Sequence, residues 1–118
     1  MKKLSPGRPA ISAGRLIIAD LIIDLDNGQV LRDNTLLMLK KKEFQLLKYL
    51  ASRKNRIVLK SDLIRSIWSK RIHTNTLQAY MLSLHKKVDG PFRHRLIYTA
   101  SRKGYILFEN NPCFEQNP

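Results

Sequence analysis

The spacing of apolar residues changes once along this chain, near residue 40, and the change limits the folds that the chain can adopt. Before that point, Leu16–Ile18, Leu21–Ile23 and Gln29–Arg32 are short runs rich in branched aliphatic residues, which is typical of strands. Asp26-Asn27-Gly28 predicts a hairpin turn, because Asn-Gly tolerates positive φ. Thr35–Leu39 is a further predicted strand. The N-terminal third is therefore expected to form a small antiparallel sheet.

Beyond residue 40 the apolar residues recur every three to four positions, which predicts helices. The first is expected over 41–53. The second is expected over roughly 62–70, with Ser61 as its N-cap. Ile57–Leu59 is predicted to be only a brief extended link between them.

A third helix is expected over about 75–88, capped by Thr74 or Asn75. Its apolar residues share an arc of about 60° at 100° per residue, as expected for a helix with one buried face. Those residues are Leu77, Met81, Leu84 and Val88.

Two strands, 96–101 and 104–108, close the pattern around the basic pair Arg102-Lys103 and predict a hairpin with a basic tip. Sheet, three helices and terminal hairpin are the order of an α+β winged helix-turn-helix. We expect one winged-helix domain over 14–108, a flexible N-terminal segment over 1–13 and a polar C-terminal tail over 109–118.

The charge favours an anionic partner. Twenty-two Lys and Arg residues against nine Asp and Glu residues leave a net charge of +13. Residues 38–72 hold eleven basic and two acidic side chains, and residues 73–107 hold six and one. Because the positive charge is interleaved with helical periodicity, we expect it to lie on folded elements rather than in a disordered tail.

The residue types argue against several other classes of protein. A single cysteine, Cys113, excludes an internal disulfide, and three scattered histidines lack the spacing of a zinc site. The isolated carboxylates make no catalytic pair, so we expect neither enzymatic activity nor a cofactor. The longest apolar stretch, Leu16–Leu25, contains two aspartates and is too short to span a bilayer. We therefore expect a cytoplasmic chain that makes no membrane contact itself.

Four motifs, in this order, resemble the OmpR/PhoB-type winged-helix domain. They are Leu39-x3-Glu43-Phe44-x-Leu46-Leu47-x2-Leu50, Leu63-x4-Trp68, Leu77-x3-Met81-x2-Leu84-x-Lys86-Lys87-Val88 and Ile97-x-Thr99-x4-Gly104-Tyr105. Within that family, Thr74-Asn75-Thr76-Leu77 and the run 99–105 are most similar to the CadC/ToxR-like transcriptional regulators. The resemblance covers about residues 14–108 and implies sequence-specific binding of double-stranded DNA and control of transcription.

A helical projection of the third helix identifies the residues that would meet DNA in the major groove. The predicted base-facing residues lie opposite or beside the apolar arc: Asn75, Gln78, Ala79, Leu82, Ser83 and His85. The predicted phosphate contacts are Thr76, Tyr80, Lys86, Lys87, Lys41 and Lys42. Arg102 and Lys103 of the wing (101–104) are predicted to enter the minor groove.

The sequence leaves a second function open, in which a winged-helix adaptor acts mainly through contacts with RNA polymerase or a partner regulator. The resemblance implies a polymerase contact at Lys70, Arg71 and His73. Homodimerisation or tandem binding on DNA also stays open. So does the choice between a small stand-alone regulator and the DNA-binding part of a longer, membrane-anchored one.

Overall fold

The computed structural model describes residues 14–92 and 94–109, in the predicted order of sheet, helices and hairpin. The N-terminal strands are β1 (Arg15–Ile18), β2 (Leu21–Asp24), β3 (Gln29–Arg32) and β4 (Thr35–Leu37). There follow α1 (Lys41–Ser52), β5 (Val58–Leu59), α2 (Lys60–Ile67), α3 (Thr74–Val88), β6 (Ile97–Ala100) and β7 (Gly104–Leu107). The predicted α+β winged-helix class is confirmed. The segment 1–13 and the tail beyond residue 109 lie outside the described residues.

The first four strands form an antiparallel meander in the order β1-β2-β3-β4. Alternation places one face of this sheet against the helices, where Ile18, Leu21, Ile23 and Val30 are buried. The sheet thereby supplies one wall of the core.

The helices bury the apolar faces that their spacing predicts. Leu46, Leu47 and Leu50 of α1 are fully buried, as are Leu77 and Leu84 of α3. These side chains belong to one cluster with the inner face of the first sheet, so α3 is held by its apolar stripe and its opposite face stays in solvent. Among the described residues, no helix is long and apolar enough to cross a membrane.

The predicted extended link at Ile57–Leu59 is instead part of a second sheet. Val58 and Leu59 form β5, which pairs antiparallel with β7 in the order β5-β7-β6. A Cβ on Gly104 would lie 1.9 Å from the Val58 carbonyl oxygen, so this close pairing requires glycine. The wing hairpin is therefore one strand wider than predicted and is fastened to the chain just before α2.

The second helix begins and ends earlier than predicted. It starts at Lys60 directly after β5, with Leu59 as its N-cap residue, so Ser61 lies inside the helix and caps nothing. It ends at Ile67, whose carbonyl accepts a hydrogen bond from Lys42 Nζ at 2.9 Å, while Trp68 continues in an extended conformation.

The other helix ends differ from the prediction by one or two residues. The N-cap residue of α3 is His73, and the predicted caps Thr74 and Asn75 are its first helical residues. The first helix ends at Ser52 rather than at residue 53.

A fully buried arginine links the first sheet to the end of α3. Arg32 donates to Asp20 Oδ1 at 2.6 Å and to Asp89 Oδ1 at 3.0 Å. It also donates to the carbonyls of Val88 at 2.7 Å and His94 at 2.5 Å. Three chain segments thus meet at one guanidinium, which fixes where α3 stops and where the approach to β6 begins.

Candidate nucleic-acid interface

The solvent face of α3 carries most of the predicted base-facing residues. Asn75, Gln78 and Ala79 are exposed, and Leu82 keeps 55% of its surface in solvent. At 1.5 Å per residue the fifteen-residue helix is about 22 Å long, and a helix of this kind fits the major groove of duplex DNA. This face is polar at its start and apolar at Leu82.

Two residues from the predicted interface point inward instead, to a buried carboxylate on α1. Ser83 Oγ donates to Glu43 Oε2 at 2.5 Å, and Lys87 Nζ donates to Glu43 Oε1 at 2.8 Å. Ser83, predicted to face bases, and Lys87, predicted to contact phosphate, are thus both held by Glu43. A helical projection ranks angles on one helix and gives no sign of a partner on another.

The ionised form of Glu43 is stabilised by this arrangement. Burial alone would raise the pKa of its carboxyl, but hydrogen bonds from the Lys40 backbone N–H, Lys87 and Ser83, with the charge of Lys87, lower the pKa below its ordinary value. The Lys40 N–H bond, at 2.9 Å, also satisfies a free donor at the start of α1. Glu43 is 1% exposed and therefore acts as an internal tie between α1 and α3.

His85 is turned toward the C-terminal end of α3. Its Nδ1 lies 2.9 Å from Asp89 Oδ2, and its side chain is 30% exposed. The residue therefore sits at the edge of the α3 face rather than at its centre.

Of the remaining predicted phosphate contacts, Thr76, Lys41 and Lys86 are exposed. Lys42 is half-buried, with its Nζ on the Ile67 carbonyl and 5.5 Å from the centre of the Trp68 ring. The Trp68 ring in turn meets the half-buried Tyr80 ring edge-on at 5.4 Å between centroids. Lys42 and Tyr80 therefore share one packed group between the start of α1, the end of α2 and α3.

The tip of the wing presents its two cations to solvent. Arg102 and Lys103 are exposed, and the turn is closed by a hydrogen bond from the Lys103 N–H to the Ala100 carbonyl at 3.1 Å. The Lys103 carbonyl accepts the N–H of Lys60, the first residue of α2, at 3.1 Å. This bond sets the position of the tip relative to the helices.

The exposed face of α3 and the wing sheet border one cleft of about 190 Å³. Gln78, Leu82 and His85 line it from α3, and Arg95 and Thr99 line it from the wing side. Arg95 and Thr99 are not among the site residues predicted from the sequence, because strand alternation does not show which helix a sheet face will meet.

The predicted polymerase contact lies on the connection between α2 and α3. Lys70, Arg71 and His73 are all exposed there. Among residues 14–92 and 94–109, no three His, Cys, Asp or Glu side chains are grouped so as to hold a metal ion.

The fold, in which the exposed face of α3 lies beside a basic β-hairpin, is that of a winged-helix domain. The comparisons with known proteins agree with this class: residues 33–107 match the family described as "Transcriptional regulatory protein, C terminal". The chain belongs to this family, the OmpR/PhoB-type domains, which confirms the resemblance seen in the sequence.

Individual relatives extend the comparison. The transcriptional regulatory protein HprR of Escherichia coli is 39% identical over 92 residues, which cover 76% of this chain and 41% of HprR. The response regulator DrrB of Thermotoga maritima superposes with a TM-score of 0.73 at 27% identity, over 80% of this chain and 44% of DrrB. The E. coli CadC DNA-binding domain has the same fold, with a TM-score of 0.70 at 18% identity over 80% of this chain and 92% of that domain. The chain thus spans less than half the length of HprR and DrrB.

Proposed function

We propose that this chain binds double-stranded DNA with sequence specificity and regulates transcription, with α3 in the major groove and the wing in the minor groove. The observation that carries the proposal is the shared cleft, which sets the exposed face of α3 beside the wing sheet. Residues 38–107, which hold both elements, carry seventeen basic and three acidic side chains. A surface of that charge attracts the phosphate backbone. Its action would lie in the cytoplasm, with the bacterial chromosome.

Base recognition would rest on the four residues that α3 exposes at its centre and start. The amides of Asn75 and Gln78 suit the adenine edge, while Ala79 and Leu82 suit the methyl group of thymine. The combination favours A·T-rich sites. Ser83 is left out of this set because its hydroxyl is held by Glu43.

Phosphate contacts would come from the exposed cations and hydroxyls around this face. Lys86 and Thr76 lie on α3, and Lys41 lies at the start of α1. Tyr80 and Lys42 remain proposed contacts at the edge of the face, where Trp68 packs against both. Lys87 is left out because its ammonium group pairs with Glu43.

At the wing, Arg102 and Lys103 would enter the minor groove, where a narrow A·T-rich groove deepens the negative potential. The tip is closed by its own hydrogen bond and attached to α2, so little ordering is needed on binding. Direct readout by α3 and minor-groove contact by the wing would therefore favour the same A·T-rich sequences.

The exposed connection between α2 and α3 supports a further proposed contact, with RNA polymerase. Lys70, Arg71 and His73 are exposed there and are not among the proposed contacts of α3 and the wing with DNA. Because one helix reads only a short half-site, we also propose that two copies bind DNA as a homodimer or in tandem. An adaptor that acts on polymerase with little DNA affinity is the alternative function.

Selection of bound duplexes from a random pool tests the proposal. We expect an A·T-rich motif to be enriched by the full chain, and we expect little enrichment by a variant with Asn75→Ala, Gln78→Ala and Leu82→Ala together. A pool that stays random while Lys70→Ala and Arg71→Ala abolish transcription control would favour the adaptor instead.

A further inference from the structure

The cleft between α3 and the wing sheet is lined by two basic side chains that the proposed base contacts do not use. His85 lines it from α3, and Arg95 lines it from the segment that leads into β6. If α3 lay in the major groove and the wing in the adjacent minor groove, the DNA backbone between the two grooves would run past His85 and Arg95.

The carboxylate of Asp89, which contacts His85, also binds three other groups inside the fold. Asp89 is buried and accepts hydrogen bonds from the N–H groups of Leu96 at 2.9 Å and Ile97 at 3.0 Å. It also pairs with the buried Arg32. An ionised carboxylate only accepts hydrogen bonds, so the contact at 2.9 Å requires His85 to carry a proton on Nδ1. The opposite ring nitrogen, Nε2, is therefore an acceptor in the neutral ring and a donor only when the ring is charged.

Arg95 is an exposed cation held in place by two contacts. Its Nε donates to the Ile97 carbonyl at 2.9 Å, and its guanidinium lies 4.9 Å from the centre of the Tyr98 ring. The hydrogen bond uses Nε and not the two terminal nitrogens, which are donors that match phosphate oxygens in a planar fork.

We propose that His85 and Arg95 form a seat for one backbone phosphate, in which Arg95 is the constant donor and His85 donates from Nε2 only when protonated. This inference rests on the proposed duplex binding. It assigns a role to Arg95 that the sequence pattern does not indicate. It also assigns His85 to the backbone rather than to the bases.

The charged groups that face His85 are Asp89, Arg95, Lys86 on the same helix and Arg32 behind Asp89, and the phenols of Tyr98 and Tyr105 line the same cleft. A phosphate placed in the seat adds an anion beside Nε2, and an anion favours the charged form of a ring that donates to it. Binding then takes up a proton, so duplex affinity rises as the pH falls through the range in which histidine titrates.

The number of phosphate contacts can be read from the salt dependence of affinity. The test uses fluorescence anisotropy of the full chain with a labelled 24-base-pair duplex of scrambled sequence, in a salt series at pH 5.5 and at pH 8.0. One extra contact makes the slope of log affinity against log salt more negative by about 0.9, equivalent to about eightfold in affinity at 0.1 M salt. We expect this difference between the two pH values in the wild type.

Substitutions distinguish the contribution of His85 to the salt slope from that of Arg95. His85→Gln should remove the difference between the pH values, and His85→Arg should give the steep slope at both. Arg95→Gln should flatten the slope by about 0.9 at both pH values. His94→Gln, the matched control, replaces an exposed histidine outside the cleft lining and should keep the wild-type difference.

Two results would overturn the seat while leaving duplex binding intact. In one, His85→Gln keeps the pH difference on the scrambled duplex. In the other, its effect is confined to a selected duplex, which would assign His85 to base readout. Absence of wild-type affinity for any duplex at low salt would overturn the proposed function itself, and the seat with it.

Discussion

Glu43 joins the first turn of α1 to the last turns of α3 through one buried carboxylate. Its bonds to Ser83 and Lys87 hold the third helix along one flank of its exposed face. The same bonds lower the pKa of Glu43 against the opposing effect of burial. The placement of the exposed face of α3 therefore depends on a carboxylate that is buried inside the fold.

Glu43→Gln should make the domain less stable and less sensitive to acid. Because the pKa of Glu43 is lower in the folded state than its ordinary value of 4.5, its contribution is present above about pH 4.5 and is lost as the pH falls through the lowered value. We expect the variant to lose about 1–3 kcal/mol of unfolding free energy at pH 7, as for a buried hydrogen-bonding group left without its partner.

Urea unfolding followed by circular dichroism between pH 3 and pH 7 measures both effects. Asp26→Asn, at an exposed turn, is the matched control and should reproduce the wild-type profile. A Glu43→Gln variant with the same acid dependence as the wild type would contradict the assigned role.

Arg32→Met tests the second internal tie. Removing the guanidinium leaves Asp89 buried without its cation, which typically costs about 3–5 kcal/mol. Arg15→Met, at an exposed position of β1, should change stability by no more than about 0.5 kcal/mol. Equal thermal stability of the two variants would show that the buried pair contributes nothing to the fold.

The sequence pattern does not predict the buried contacts of Glu43 and Arg32. Arginine is almost never fully buried without a partner, and nothing local marks Arg32 as the residue that meets the end of α3 fifty-six positions later. Ser83 and Lys87 have polar side chains on the correct helix, but their partner lies on another helix. Helix periodicity correctly predicts which apolar residues of α3 are buried, but it carries no information about polar contacts between helices.

At the scale of the element, the pattern predicts α1, α3 and the strands because each has a continuous periodic signal. It misses β5, since a two-residue strand has no period of its own and its pairing with β7 is a long-range contact. It also places α2 too late, because the helix starts directly from β5 and its end is set by Lys42. The errors thus fall where tertiary contacts decide the element's limits.

The exposed face of α3 should control discrimination between sequences rather than affinity for DNA in general. With Asn75→Ala, Gln78→Ala and Leu82→Ala made one at a time, we expect each to cost about 1–3 kcal/mol of preference for a selected duplex. Affinity for a scrambled duplex should stay within about twofold of the wild type, since phosphate contacts are kept. Ser61→Ala on α2 is the matched control, and equal losses on both duplexes would contradict base readout.

The wing should contribute affinity and A·T preference together. Arg102→Gln with Lys103→Gln removes two exposed cations and should flatten the salt slope by up to about 1.8. The same double variant should reduce the preference for A·T-rich duplexes in a competition assay. Lys48→Gln with Arg56→Gln, two exposed cations outside the proposed interface, should leave that preference unchanged.

At the scale of the whole molecule, charge divides the fold into two parts. Residues 14–37, which form the first sheet, carry two basic and four acidic side chains, whereas residues 38–107 carry seventeen and three. Not every cation of the second set can contact phosphate, because the ammonium group of Lys87 is paired with the buried Glu43. The net charge therefore overstates the number of phosphate contacts.

The salt dependence of duplex affinity decides whether this chain binds DNA through the phosphate backbone. With about six phosphate contacts from α1, α3, the cleft and the wing, log affinity plotted against log salt should fall with a slope near −5. A selected duplex should be bound at least about a thousandfold more tightly than a scrambled one at the same salt. Undetectable affinity for any duplex at low salt, or a slope near zero, would show that the chain does not bind duplex DNA through these cations.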